Sequence, residues 1–481
     1  MARGLTYKRK NICGPAANST GRGDQNTVKL IKTFLIAGAL AGLHAVSTAY
    51  GQQPGDRDAG QIDHELARAE SEYDFPAEKP ALDDYLAHAA LFSPALKAAF
   101  HGWKAELAKV SIAKALPEPT FTYAYFVENV ETRVGPQRHR FSVHQSFPWF
   151  GTLGKKGDMA SEAANAAYQR YQAEKLSLFY RVRSAYYDYY YLGAQIEIAR
   201  RNMELLSFWE EVARTRYSSA VQPHADLVKV QVELGTLEDR LRGLEQQLVP
   251  AAARLKAAVN LPDSVSPPVP DSIPARTPDL TAQALVEMAR AHNPDLKAID
   301  HVINSQRAAV SLAGRSSLPR FTIGADYIET GEASDPTMAG SGKDAWTVSV
   351  GISLPIWFGK NKAAKSEAVA RLHEAEQLRE SRRDELDARV ELVRFFYEDA
   401  GRRLSLYRDG LVAKAEESMN VAFAAYRAGT ASFLQVIDAQ RVLLELRLQT
   451  QQAAVEHARR LAELEMLTGQ DLHSAQEKNK E

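Results

Sequence analysis

The chain has 481 residues, of which 45% are hydrophobic, and a formal net charge of −1. Its mean hydropathy of −0.34 is that of a protein with a polar surface, and its length would allow two or three domains. The single cysteine, Cys13, excludes a disulfide framework and any cysteine-based zinc site.

The first segment, residues 1–51, is predicted to be a secretory signal peptide. Lys29 and Lys32 precede an apolar run from Thr33 to Val46, and small residues follow near the expected cleavage site. A membrane anchor is the alternative, but the run is short and leads into polar sequence. An unusually long stretch precedes Lys29, so translation starting at Val28 is also an open alternative.

Removal of this signal leaves 52 basic and 59 acidic residues, and the acidic balance argues against nucleic-acid binding. Cys13 would be removed with the signal, so the mature protein is not expected to be lipid-anchored. Composition predicts three further segments without a packed core. They are a flexible N-terminal arm at 52–80, a linker with six prolines at 261–280, and a disordered tail at 473–481.

Two long segments, 81–260 and 281–472, show the same order of sequence features. Ser93-Pro94 opens a helical stretch in the first segment, and Asn293-Pro294 opens one in the second. Each segment then reads as two strands, a very long helix, a break and another long helix. We therefore predict an internally duplicated chain in which one structural unit is used twice.

Each repeat contains two predicted β-strands whose apolar and polar side chains alternate. Strands of about ten residues with aromatic residues near their ends are typical of tilted, membrane-spanning strands. The alternative is a half-buried sheet in a soluble protein. We predict that four apolar residues of these strands face lipid: Phe141, Val143, Val348 and Val350.

Long helices are predicted after each pair of strands. No proline interrupts the stretch from Lys155 to Tyr217, which as a helix would be roughly 95 Å long. From Leu227 to Ala251, apolar residues recur at alternating spacings of three and four, which predicts a coiled-coil seam. Pro250 is expected to kink that helix. An aromatic cluster is interpreted as helix packing: Tyr186, Tyr187, Tyr189, Tyr190 and Tyr191, with Phe395 and Phe396 as counterparts.

Four strands cannot close into a barrel, and lipid does not tolerate unpaired sheet edges. If these strands cross a bilayer, several chains must contribute to one barrel. Two chains would give eight strands and a filled interior, whereas three would give twelve strands and an aqueous lumen. The helices of the same oligomer are expected to form a cylinder in the periplasm.

These features resemble the TolC-like outer-membrane efflux protein family over about Leu82 to Leu472. The strand end Leu354–Gly359 and two segments after helix breaks carry the resemblance. The first segment, Val221–Leu234, is similar to heavy-metal efflux channels of this family, and the second, Tyr426–Gln440, is close to the family's second-repeat pattern. The resemblance implies a mainly α-helical fold with a membrane β-barrel, in which three chains form a 12-stranded β-barrel continued by a long α-helical barrel.

The resemblance also implies a function, that of the exit duct of a tripartite efflux pump or a type I secretion system. An inner-membrane pump, expected to be of the resistance-nodulation-division type, would supply the energy, and a periplasmic adaptor would join it to the homotrimer. Residues at the two helix breaks are the expected adaptor contacts: Ala220, Val221, Gln222, Pro223, Ala428, Gly429, Thr430 and Ser432. The alternative is that these residues only connect two helices.

In this family, acidic residues beyond the second break can ring the closed end of the lumen. Asp438 stands at one such position, and Gln435 replaces the other. Asp226 occupies the position of the first repeat that matches Gln435. Three copies of Asp438 would repel one another at a constriction and attract cations. A solvated surface aspartate is the alternative.

The sequence contains no motif for an enzyme, a cofactor or a metal site. Its histidines lack metal-ligand spacing, and no phosphate-binding loop or catalytic Ser/His/Asp pattern occurs. The predicted function is a passive channel in the outer membrane of a Gram-negative bacterium, with a large periplasmic portion. A periplasmic coiled-coil adaptor or structural protein is the alternative, and the substrate (metal ions, drugs or proteins) stays open.

Overall fold

The structure, a computed structural model, describes residues 56–472 except 77, 220–223, 275–277, 279–280 and 336. This part of the chain is mostly helical and contains one antiparallel sheet of four strands. Its elements in chain order are α1 (Asp56–Glu72), α2 (Leu82–Phe92), α3 (Pro94–Lys114), β1 (Thr120–Thr132), β2 (Gly135–Phe147), α4 (Thr152–Ser218), α5 (His224–Gln246), α6 (Leu248–Val259), α7 (Ala282–His292), α8 (Pro294–Arg315), β3 (Arg320–Thr330), β4 (Ala345–Ser353), α9 (Phe358–Ser405), a π-helical turn (Leu406–Leu411), α10 (Val412–Arg427) and α11 (Phe433–Thr468).

Part of the predicted flexible arm forms α1. Asp63 and Glu70 of this helix pair with Lys104 and Lys97 of α3 at 2.6 and 3.1 Å. The acidic residues that suggested a loosely held segment therefore supply contacts that hold it against α3. The predicted signal peptide, 1–51, and the predicted tail, 473–481, lie outside the described residues.

The α3 and α8 helices begin in the same way. The Ser93 hydroxyl accepts a hydrogen bond from the Leu96 amide at 3.4 Å, and the Asn293 side chain caps α8 in the equivalent position. Pro94 and Pro294 occupy the first helical position, where the absent N–H has no helical partner to lose. The residue before a proline is kept out of the helical region, so α2 and α7 end there.

The sheet has the strand order β1-β2-β3-β4, with every neighbouring pair antiparallel. Its central pairing, β2 with β3, joins the two halves of the chain. Phe141 on β2 lies opposite Tyr123 on β1 and Tyr327 on β3, and Tyr327 lies opposite Trp346 on β4. Directly opposed residues share a face, so this register sets which side chains point to each side.

The longest helix, α4, has 67 residues and is roughly 100 Å long. Near its start Tyr168 packs on Trp103 of α3, with 5.0 Å between ring centroids, and Trp103 is fully buried. In the predicted aromatic cluster Tyr186, Tyr187 and Tyr189 are buried, which agrees with the interpretation as helix packing. Their counterparts Phe395 and Phe396 are exposed in the single chain.

The predicted kink at Pro250 is a break between two helices. Pro250 has no N–H for the carbonyl of Gln246, and its ring crowds that carbonyl. Accordingly α5 ends at Gln246 and α6 begins at Leu248. In the second half, α9 continues into α10 through the π-helical turn. Among the described residues, no helix combines the length and the apolar character needed to cross a bilayer.

Candidate functional site

One face of the sheet is apolar and exposed. The four residues predicted to face lipid share this face, because Val143 lies opposite Ala325, which lies opposite Val348, and Phe141 and Val350 follow at even spacing. Val348 and Val350 are 79% and 71% exposed. A water-facing sheet rarely displays so large an apolar patch without a partner that covers it. Other exposed members of this face are Phe121, Tyr123, Tyr125, Ile323, Trp346 and Ile352.

The opposite face of the sheet is polar and internally hydrogen-bonded. Asp326 of β3 accepts hydrogen bonds from the Ser142 hydroxyl at 2.5 Å and from two nitrogens of Arg140 at 2.7 and 3.1 Å. Asp326 is buried by these partners although it lies on an open sheet. Charge-assisted hydrogen bonds of this kind favour a fixed geometry over a solvated one. The sheet thus has one side suited to hydrocarbon and one suited to water.

Both outer strands of the sheet leave a free edge. Within the described part of the chain, β1 pairs with β2 alone and β4 pairs with β3 alone. The register of β1 shifts between Tyr125 and Val130, and its remaining pairs are regular. An exposed edge carries a row of unpaired N–H and C=O groups and is a template for another strand.

The second candidate region is the turn between α10 and α11, residues 428–432, which contains four of the predicted adaptor contacts. Ala428 ends α10, and Gly429 adopts φ = +75°, a conformation that costs glycine little. The Thr430 amide donates to the Ala425 carbonyl at 3.0 Å, and Ser432 precedes the first residue of α11. The other four predicted contacts, Ala220, Val221, Gln222 and Pro223, lie outside the described residues.

Arg216, at the end of α4, is bonded to this turn. Its guanidinium donates to the carbonyl oxygens of Tyr426 and Arg427 at 2.6 and 2.8 Å, and lies 5.1 Å from the centroid of the Tyr426 ring. Carbonyl groups at the end of a helix have no helical partner, so an arginine satisfies them well. The end of the first helical hairpin is thereby fixed to the end of the second.

A buried aromatic cluster lies directly behind the turn. Phe433, the first residue of α11, is fully buried, with 5.0 Å between its ring and that of Tyr426. Trp209 of α4 meets Phe433 edge-on at 6.2 Å and stacks on Phe423 at 5.5 Å. These rings, with Val230 of α5, make the helix ends one packed unit.

The three lumen candidates occupy different environments. Asp438 and Gln435 are exposed on α11, whereas Asp226 is nearly buried in the first turn of α5. Burial, and to a smaller extent the nearby Asp226 carboxylate, raises the pKa of Tyr426. Asp438 is therefore the one acidic candidate of the three that the single chain leaves open to solvent.

Sequence reasoning missed two arginine contacts that join helices near this turn. One is the Arg216 contact, and the other is an ion pair between Arg441 of α11 and Glu233 of α5. In the sequence, the one indication of the Arg216 contact is that Arg216-Tyr217 and Tyr426-Arg427 stand at matching positions of the two repeats. Across the described residues, no group of three or more histidine, cysteine or acidic side chains is placed to hold a metal ion.

Comparison with known proteins identifies the family. A model of the outer membrane efflux protein family matches residues 86–261 and 285–470. The chain belongs to the outer membrane efflux protein family. The predicted resemblance to TolC-like channels is confirmed, and so is the outer-membrane location with a large helical portion in the periplasm. Family membership also confirms that the chain is not an enzyme, because these proteins are channels.

Individual relatives are distant in sequence. The chain is 24% identical over 320 residues to the pyoverdine export outer membrane protein OpmQ of Pseudomonas putida, and the match spans 66% of either protein, just under two thirds. Among solved structures, VceC of Vibrio cholerae superposes with a TM-score of 0.67 at 18% identity, covering 81% of this chain and 96% of VceC. CusC superposes with a TM-score of 0.68 at 15% identity, covering 83% and 96%. At these identities the solved structures establish the fold.

Proposed function

We propose that three copies of this chain form the outer-membrane exit duct of a tripartite export system. Three four-stranded sheets would close a 12-stranded barrel, and the helices of the internally duplicated chain would continue it as a periplasmic cylinder. Substrate would move through the lumen without a chemical step. Energy would come from an inner-membrane pump of the resistance-nodulation-division type, joined to the channel by a periplasmic adaptor.

The observation that carries this proposal is the combination of two free sheet edges with an exposed apolar face. In hydrocarbon, unpaired backbone groups cost several kcal/mol each, so β1 and β4 need partners there. A second and third copy of the chain supply the same pair of edges, and pairing β4 of one copy with β1 of the next closes the ring. Twelve strands leave room for a lumen that the polar face would line.

The helix ends are the proposed contact for the adaptor. Gly429 and Thr430 stand at the end of α10 next to the terminus of α4, and the aromatic cluster behind them holds both in a fixed relation. A rigid turn loses little conformational freedom on binding, which favours recognition. Exposed Asp438 lies one helical turn beyond Gln435 and is the proposed lumen residue of this end.

The substrate is proposed to be a small solute. The relative OpmQ is named as a pyoverdine export protein, and the segment Val221–Leu234 is similar to heavy-metal efflux channels. Both point to small molecules or ions in preference to exported proteins. Deletion of the gene followed by profiling of sensitivity to metals, dyes and siderophores would identify the class. The alternative of a periplasmic adaptor has no use for a four-stranded sheet with an exposed apolar face.

Disulfide cross-linking between outer strands tests the trimer. Within one chain β1 and β4 are separated by two strands, roughly 14 Å along the sheet, whereas a disulfide needs Cα atoms within about 7 Å. In a chain with Cys13→Ser, Thr122→Cys on β1 is combined in turn with a cysteine at Thr347, Ser349 or Gly351 on β4. At least one pair should give covalent trimers on denaturing gels.

The matched control is Thr122→Cys with Ser142→Cys, because these residues lie directly opposite each other within the chain. This pair should close a disulfide inside one chain and migrate as a monomer. The trimeric barrel would be overturned if the β1–β4 pairs gave dimers exclusively, or if none of the three pairs gave a cross-linked species.

A further inference from the structure

We infer that the end of the sheet from which the helices leave binds the headgroups of anionic phospholipid through a basic-aromatic belt. The belt consists of Phe150, Trp357, Phe358, Lys360, Lys362 and Lys365. The inference rests on the proposed function, in which the apolar face of the sheet lies in the outer membrane. It goes further by naming the lipid class that this face contacts at its periplasmic edge.

The aromatic members of the belt lie at one end of the sheet. Phe147 of β2 lies opposite Phe321 of β3, which lies opposite Ile352 of β4, so the chain segments after β2 and β4 leave at this same end. Phe150 and Trp357 follow these strands and are 78% and 71% exposed. Aromatic residues are enriched where membrane strands meet the headgroup region.

The turn after β2 holds Phe150 in its exposed position. Arg315, at the end of α8, donates to the Phe150 carbonyl at 2.7 Å. Gly151 adopts φ = +76°, and a Cβ at this position would lie 2.6 Å from the Arg315 guanidinium. Trp149 stacks on Phe321 at 5.6 Å, and the Phe150 ring meets the Trp149 ring edge-on at 6.1 Å. The exposure of Phe150 is thus a feature of a well-anchored turn.

The three lysines of the belt closely follow Trp357 and Phe358 in the sequence. Residues 355–366 contain three lysines and no acidic residue, and Lys360, Lys362 and Lys365 are all exposed. The next carboxylate, Glu367, is bonded to Arg371 at 3.1 Å. Among the described residues, no carboxylate is within ion-pair distance of the three lysines. A solvated helix of this chain usually pairs its charges, as α9 does farther along.

The positive charge of the belt indicates that it binds anionic lipid. Helix packing does not need these lysines, because Asn361, Ala364 and Ala368 form the inward side of α9 here. Lysines beside interfacial aromatic residues are placed to meet phosphate groups, and anionic lipid attracts them by roughly fivefold in affinity for each lysine near the surface. A zwitterionic headgroup offers no such attraction.

Fluorescence quenching by brominated lipid tests the belt. The purified protein without residues 1–51, the predicted signal peptide, is reconstituted in phosphatidylcholine vesicles in which brominated phosphatidylglycerol or brominated phosphatidylcholine is titrated over the same range of mole fractions. The contribution of Trp357 is isolated by difference from Trp357→Phe. We expect phosphatidylglycerol to quench Trp357 at a bulk fraction at least about tenfold lower than phosphatidylcholine does.

Two variants decide the outcome. The triple variant Lys360→Gln, Lys362→Gln and Lys365→Gln should quench equally with either lipid, whereas Lys229→Gln with Lys414→Gln, which removes two exposed lysines from α5 and α10, should keep the preference. Equal quenching in the unmodified protein, or a preference that survives the triple variant, would overturn the belt. Absence of quenching by either lipid would overturn the membrane position of the sheet itself.

Discussion

Arg216 provides a direct test of whether the end of α4 and the turn after α10 act as one unit. It donates to two carbonyl groups that end α10, and its guanidinium lies over the Tyr426 ring. Replacement by alanine removes both charge-assisted hydrogen bonds and the cation–π contact. The two carbonyl groups would then be left to water, and the turn would open more often.

The magnitude follows from the geometry. A hydrogen bond to a charged group contributes about 1.5–3 kcal/mol when well buried, and these two bonds are partly exposed, so about 1 kcal/mol for each is the appropriate scale. The cation–π contact adds about 0.5–1 kcal/mol. A total of about 2–3 kcal/mol corresponds to a roughly 30- to 150-fold increase in the population of the opened turn.

Hydrogen exchange at Gly429 and Thr430 is the assay. Their amides donate to the carbonyls of Tyr426 and Ala425 at 3.1 and 3.0 Å, so their exchange reports opening of the turn. Arg214→Ala is the matched control, because Arg214 on the same helix makes an exposed i,i+4 pair with Glu210, worth about 0.3–0.5 kcal/mol. An increase of less than about threefold in Arg216→Ala would refute the reasoning.

Three further predictions concern other parts of the chain. Gly429→Ala should lower the stability of the turn by about 1–2 kcal/mol through backbone strain alone. Gly469→Ala should cost more in thermal unfolding, because its Cβ would lie 2.6 Å from the His292 carbonyl whereas that of Gly429 meets no atom within 4 Å. Burial lowers the pKa of Lys175 from 10.5 to about 8. The buried ammonium charge therefore destabilises the folded chain fully below pH 8, and this destabilisation disappears as the pH rises towards 10.5. In denaturant titrations at fixed pH, the wild-type chain should gain roughly 3 kcal/mol over Lys175→Met across this window. Cysteines that replace Phe141, Val143 or Val350 should react with a lipid-phase probe, and cysteines that replace Ser142 or Ser349 should react with an aqueous one. Labelling of all five by the aqueous probe would contradict a membrane-facing side of the sheet.

The strands were well predicted from the sequence because a period of two assigns every side chain to a face. Once Phe141 and Val348 were placed on the apolar side, the intervening polar residues had to lie on the other, and the register shows this arrangement. The helix starts at Pro94 and Pro294 were equally visible, because a proline preceded by a capping residue is a local signal. Such features depend on neighbours in the chain.

Contacts between distant parts of the chain were not predictable in the same way. Arg216 meets residues about two hundred positions away, and no spacing rule connects a guanidinium to a particular carbonyl. The acidic arm was expected to be flexible, yet Asp63 has Lys104 as a partner that only the folded chain brings near. Asp226 and Gln435 matched in sequence, but packing around Tyr426 buries the first and leaves the second exposed.

The distribution of apolar surface shows why the sheet, more than the helices, determines the function. Leu237 and Leu241 are buried against neighbouring helices of the same chain, so the seam they form needs no outside partner. Val348 and Val350 are as apolar and remain exposed on a regular, well-paired strand. A β-strand in water is stable when one face is covered, and the described part of this chain covers neither the apolar face nor the outer edges of the sheet. In the proposed channel, lipid covers the apolar face and identical chains pair with the edges, since the same membrane that hides the apolar face forbids a free edge. In that proposal, location in the membrane and assembly of several chains are consequences of a single physical requirement.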